Sequence, residues 1–170
     1  MRIELRILHG DAAALQLARR GFARLGVTSR EREKHDGRWF AVQVPERKLD
    51  GALGVLQGLS ELQLSRAAMA GPVPSLYGAG VRYQREPLGR EWWQTAHDNF
   101  SEGEGDCEDL ASHRAAELNV FHGEPARTIA VRTGARSFHA VVERADGSIE
   151  DPSLALGMMP SGSRRRRRFG

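Results

Sequence analysis

Residues 2 to 8 alternate strictly, with Ile3, Leu5 and Ile7 on one side and Arg2, Glu4 and Arg6 on the other, the pattern of a strand with one buried face. The period then lengthens. Leu15, Ala18, Phe22 and Leu25 recur at helical spacing behind Asp11, whose carboxylate suits a helix start, and Gly26 stands where a helix end needs positive φ. Strands are predicted over residues 27–34 and 38–44, joined by the turn pair Asp36-Gly37, with Phe40, Val42 and Val44 inward. Leu49, Leu53 and Leu56 set a second helix over residues 46–60, although Gly51, Gly54 and Gly58 each weaken it by roughly 1 kcal/mol. Leu62 and Leu64 alternate as a last short strand. This β-α-β-β-α-β order predicts a ferredoxin-like module over residues 1–65.

Residues 66–80 carry two prolines and three glycines without an apolar period, the composition of a linker. Beyond it, residues 83–87 read as extended, and residues 89–99 as a helix that brings Trp92 and Trp93 to a core and cleft wall. A further helix begins at Cys107, where Cys107, Leu110, Ala111, Ala115 and Leu118 share one face. Strands are predicted near 125–132, 136–144 and 148–151. The expected class is α+β, with a second, helix-on-antiparallel-sheet domain over residues 81–160 and a basic tail over 161–170.

Chemistry concentrates at the start of the Cys107 helix. Asp106 is placed to cap it, Asp109 to complete a capping box, and Cys107 falls at the first helical position, where the macrodipole favours thiolate. Glu104, Asp106, Glu108 and Asp109 oppose that by like-charge repulsion. Cys107 is the single cysteine of the chain, which excludes an internal disulfide and any Cys-x-x-Cys metal or redox motif. None of the six histidines forms a helical i, i+4 zinc pair beside an acid, so neither a metal nor a cofactor is expected. His97 and His113 read as surface residues, and a buried, unreactive cysteine is the competing reading of Cys107.

The pattern Gly105-x-Cys107-x-Asp109-x-Ala111 resembles the nucleophile helix of transglutaminase-like (papain-like) cysteine enzymes. That resemblance implies a Cys-His-Asp triad with the histidine on a following strand and the acid on the next, positions that His139 and Asp151 fill here. The hairpin between them tests the fit. A three-residue loop Ala145-Asp146-Gly147 sets Val141 opposite Asp151, so that His139 and Asp151 become diagonal neighbours on one face; a two-residue Asp146-Gly147 loop turns Glu150 to that side instead. Better placement of the glycine favours Asp151. Cys107 is then the nucleophile, His139 the base and acid, and Asp151 the residue that orients the imidazole. Asp109 reads as a cap rather than a catalytic group. The backbone N–H of Cys107, with the side-chain amide of Gln94 or Asn99, is the candidate oxyanion partner.

The implied reaction passes through a thioester and acts on a peptide or amide bond, with hydrolysis favoured over transamidation. The alternative is a structural or assembly protein that keeps the fold with little or no catalysis; the chain also resembles short proteins of tailed phages, which would make it virion-associated. Charge adds one element. The net charge of +3 depends on five consecutive arginines, Arg164, Arg165, Arg166, Arg167 and Arg168, without which 20 basic residues stand against 22 acidic ones. That run is a candidate contact for a protein assembly partner or nucleic acid. No apolar run approaches a membrane span and no signal-like segment opens the sequence, so the expectation is a cytoplasmic protein acting on a protein or peptide substrate.

Overall fold

The opening alternation forms β1 (Arg2–Ile7) in a computed structural model that describes residues 1–87, 91–135 and 137–159. Next comes α1 (Ala12–Leu25), where the Asp11 carboxylate accepts the Ala14 N–H at 2.9 Å and Gly26 ends the helix at φ 58°. The hairpin of β2 (Thr28–Lys34) and β3 (Gly37–Gln43) follows, with β3 antiparallel to both β1 and β2 and lying between them. Ile3, Leu5, Ile7, Phe40 and Val42 point inward and are buried, as the alternation requires.

The second helix departs from expectation. It runs as α2 (Leu49–Ala70) for 22 residues, so Leu62 and Leu64 sit in helix rather than strand, and residues 66–70 are its last turn rather than linker. Nothing between Glu61 and Ala70 breaks a helix; the stop comes at Gly71-Pro72. Glycines that weaken the helix locally serve packing. A Cβ on Gly51 would lie 2.5 Å from a methyl of Leu25, and one on Gly21 would lie 2.6 Å from a methyl of Val55, so their absence lets α1 and α2 approach closely.

The fourth place in the sheet is taken from farther along the chain. After β4 (Arg82–Tyr83) comes β5 (Trp92–Trp93), which pairs parallel with β1 and completes the order β2-β3-β1-β5. A ferredoxin-like unit has four antiparallel strands, so the α+β class holds while the last strand of that arrangement does not. The helix expected over 89–99 is corrected too: residues 92–93 are strand, and α3 (Ala96–Glu102) starts where Thr95 and Asp98 form a capping box. Its expected beginning at Gly89 lies outside the described residues, as does the arginine run at 164–168.

The second half builds around α4 (Cys107–Glu117), which follows β6 (Glu104–Gly105), itself parallel to β4. A π-helical turn, Leu118–His122, ends at Gly123 with φ 62°. The antiparallel strands β7 (Ala126–Arg132), β8 (Phe138–Arg144) and β9 (Ile149–Glu150) form the second large sheet, beside the two-stranded β4–β6 pair, and α5 (Pro152–Ala155) is the last element among the described residues.

Core packing does not divide at residues 66–80. Leu5, Phe22, Phe40, Leu53 and Leu56 belong to one buried cluster with Trp93, Ala111, Ala115, Leu118, Ala140 and Val142. Helix α2 joins the halves, because it also closes the free edge of β7. Gln57 accepts the Thr128 N–H at 2.9 Å and donates to the Ala126 carbonyl at 3.0 Å, while Asp50, two turns earlier, accepts the Ala130 N–H at 2.8 Å. Replacing Gln57 with Ala leaves a buried backbone donor without its partner and is expected to cost about 2 kcal/mol in urea denaturation, in one transition. A loss under about 0.5 kcal/mol would show that this closure contributes nothing.

Candidate active site

Mechanics of the helix start account for much of the Gly105-Ala111 pattern. Asp106 accepts the Glu108 N–H at 3.2 Å, and Asp109 reaches back to the Asp106 N–H at 3.1 Å. The other oxygen of Asp109 accepts the Gln94 N–H at 2.7 Å, so this fully buried carboxylate pins β5 to α4, a structural task as expected. A Cβ on Gly105 would lie 2.8 Å from Asn99 Oδ1 and 3.1 Å from Asp109 Cβ, which explains the glycine. Ala111 is fully buried beneath the sheet.

On the second sheet, the three-residue loop is the one that forms. Gly147 has φ 80°, its N–H donates to the Arg144 carbonyl at 2.9 Å, and the Arg144 N–H donates to the Ser148 carbonyl at 2.9 Å. Val142 consequently pairs with Glu150. Glu150 turns towards α4, where it takes Arg114 at 2.7 Å, Arg144 at 3.0 Å and the Tyr77 hydroxyl. Asp151 turns to the other side and meets His139, with Oδ2 at 2.7 Å from Nε2. Its second oxygen accepts the Leu154 N–H at 3.2 Å and caps α5, so the carboxylate is fixed from both ends.

Cys107 stands at the first position of α4, half-buried, with its thiol facing the backbone N–H of Ala140, the residue after His139. The thiol donates to Glu108 Oε2 at 2.9 Å and is not hydrogen-bonded to His139. Strand alternation turns the His139 side chain to the face opposite Ala140, which itself packs into the core. The imidazole–carboxylate pair is thus assembled, and the sulfur reaches the same strand at its backbone.

Electrostatics at the helix start oppose ionisation. Burial, then Glu108 and Asp106, push the Cys107 thiol far above the ordinary range. Burial raises the Asp106 and Asp109 carboxyls as well, and together with Glu108 and Glu86 it pushes Glu91 up to about 7. Asp106, Cys107 and Glu108 place three potential metal donors within 4.8 Å of one another. These donors satisfy each other through the cap and the thiol–carboxylate bond.

The two candidate amides separate. Asn99 Nδ2 is committed to the Asp109 carbonyl at 3.2 Å and to His113 Nδ1 at 3.4 Å, deep in the core. Gln94 is held by its backbone alone, and its carboxamide makes no hydrogen bond among the described residues. His97 is exposed as expected, whereas His113 is fully buried, a correction. Its ring meets Phe100 edge-on at 4.6 Å, and burial, with Arg114 adding to it, pushes the imidazole down to about 3. The spacing of three residues from both Leu110 and Ala116 is the signal that could have placed it in the core.

Compared with known proteins, the sequence matches no family model, and neither a curated protein nor a solved structure is detectably similar to it. Among the described residues no helix is long and apolar enough to cross a membrane.

Proposed function

We propose that the chain is a transglutaminase-like cysteine enzyme that breaks peptide or amide bonds through a thioester on Cys107. One observation carries this reading: the His139–Asp151 pair at 2.7 Å, on the strand whose next backbone N–H faces the only thiol of the chain. Asp151 holds the proton on Nε2, which leaves Nδ1 as the base. In the reaction the thiol leaves Glu108, sulfur and imidazole, which are not hydrogen-bonded in the structure, come together at the strand, and the thiol gives its proton to Nδ1. Sulfur then attacks the carbonyl carbon, and the C–N bond breaks as the imidazolium returns the proton to the leaving amine. Water, activated by the same nitrogen, cleaves the thioester and restores the thiol. The Cys107 N–H, free of an intrahelical partner at the first helical position, and the Gln94 carboxamide are the donors for the oxyanion.

A second reading has its own supporting observation. A thiol pushed up by burial and two carboxylates, and bonded to Glu108, is what a structural or virion assembly protein without catalysis would carry. Acyl trapping separates the two. Incubation with a p-nitrophenyl ester, followed by acid quench and peptide mass mapping, is expected to place the acyl group on Cys107, and His139→Ala is expected to slow that step by about 100-fold. Equal slow acylation of both proteins would favour the assembly reading.

A further inference from the structure

On the side of the first sheet away from α1 and α2, α3 reaches Arg6 of β1 through Asp98 and Glu102, while β2 is exposed along its length with its charges sorted between its two faces. Inward-facing Glu31 and Glu33 pair with Arg19 at 2.7 Å and with Arg38 at 2.9 Å. Arg30, Arg32 and Lys34 alternate with them and point outward from an exposed strand. Among the described residues none of these three cations has a carboxylate partner. They form a row with a repeat of roughly 7 Å.

Beside that row lies a pair of indoles. Trp39 on β3 sits opposite Arg32, and Trp92 on β5 lies across β1 from it, with ring centroids 5.6 Å apart and planes inclined by 36°. Both are half-buried on a face that is otherwise polar. The Lys34 ammonium rests 3.8 Å from the Trp39 ring centroid, and the Arg6 guanidinium 5.4 Å from that of Trp92. Arg6 is neutralised by Asp98 at 2.6 Å and belongs to the scaffold, whereas the Lys34 ammonium has the ring as its one partner among the described residues.

We propose that this face binds single-stranded nucleic acid, with phosphates on Arg30, Arg32 and Lys34 and bases stacked on Trp39 and Trp92. Both halves of the surface are then used. An acidic polypeptide would satisfy the cation row but leave the indoles idle, while a duplex keeps its bases in its own stack and offers them no face. A base arriving on Trp39 displaces the Lys34 ammonium, and the adjoining phosphate receives it. The proposal rests neither on catalysis at Cys107 nor on the arginine run at the C-terminus.

The test removes that run without shortening the chain, by Arg164→Gln and the same change at residues 165–168. Labelled oligothymidylate and oligouridylate are titrated at low salt, following anisotropy and intrinsic indole fluorescence. Binding with indole quenching is expected. The double variant Arg30→Gln, Arg32→Gln alters exposed residues alone and should reduce the slope of log K against log salt by about 1.4. Trp39→Leu, checked for folding by circular dichroism, should weaken binding by about tenfold. No binding by the tail-substituted protein would overturn the proposal. So would equal binding of polyglutamate without quenching, tighter binding of a duplex of the same length, or affinity unchanged by the Arg30 and Arg32 substitutions.

Discussion

Trp93→Ala is expected to lower the free energy of unfolding by about 3–5 kcal/mol, a large share of the 5–15 kcal/mol that holds an ordinary domain. The indole is 1% exposed and sits where the two halves meet: β5 pairs Trp93 with Leu5 of β1, and the next residue, Gln94, is tied through its N–H to Asp109 of α4. Its removal opens a cavity in the cluster that contains both Leu53 and Ala140. The indole nitrogen has no hydrogen-bond partner among the described residues, so no polar contact to them is lost with the ring. Trp92→Ala, one residue earlier on the opposite face, should cost far less. Urea denaturation of both variants decides the matter: one displaced transition is expected, and two transitions of which a single one moves would mean that the halves fold independently.

Acid sensitivity is the second large effect, and its sign follows from His113. In the unfolded chain this imidazole takes a proton near pH 6.5, whereas in the folded core it stays neutral down to about 3. Between those values the unfolded state binds more protons, so stability falls as pH falls through the window, by roughly 4–5 kcal/mol in all. Glu91 works in the opposite direction. With its folded carboxyl pushed up to about 7 from 4.5, its contribution is fully present below 4.5 and is lost as pH rises through 7. The two slopes oppose each other between 4.5 and 6.5, so the difference between parent and variant is the informative quantity. Burial raises Asp106 and Asp109 in the same sense as Glu91, so the expected result is a comparison: as pH falls from 6.5 to 3, denaturation midpoints should shift against the parent relative to His113→Leu. Identical acid limbs would mean that the buried ring does not govern the acid response.

The elements that sequence patterns place correctly are those with a local signal. Asp11 and Gly26 bracket α1, Asp36-Gly37 turns the hairpin, and Asp106 with Asp109 starts α4, because caps and turns are decided within a few residues. Gly147 likewise sets the hairpin register that brings Asp151, not Glu150, to His139. What the patterns misplace depends on contacts far along the chain. Leu62 and Leu64 alternate over too short a stretch to outweigh a continuous run of helix formers. The Trp92–Trp93 strand exists only because β1 has a free edge for it. His113 goes inside since α3 supplies Asn99 and Phe100 above it. The thiol's bond to Glu108, in place of the imidazole, is equally invisible to spacing: a rotamer chooses it.

The triad reading is tested most directly by the rate at which iodoacetamide alkylates Cys107 across the pH range. Burial, Glu108 and Asp106 hold the thiol protonated, so fast reaction near neutral pH requires the His139 imidazolium to outweigh them. The parent protein is expected to react faster than a free model thiol at pH 7, His139→Ala about 100-fold more slowly than the parent, Asp151→Asn at an intermediate rate, and Glu108→Gln faster than the parent. A parent rate below that of the model thiol, unchanged in His139→Ala, would contradict it.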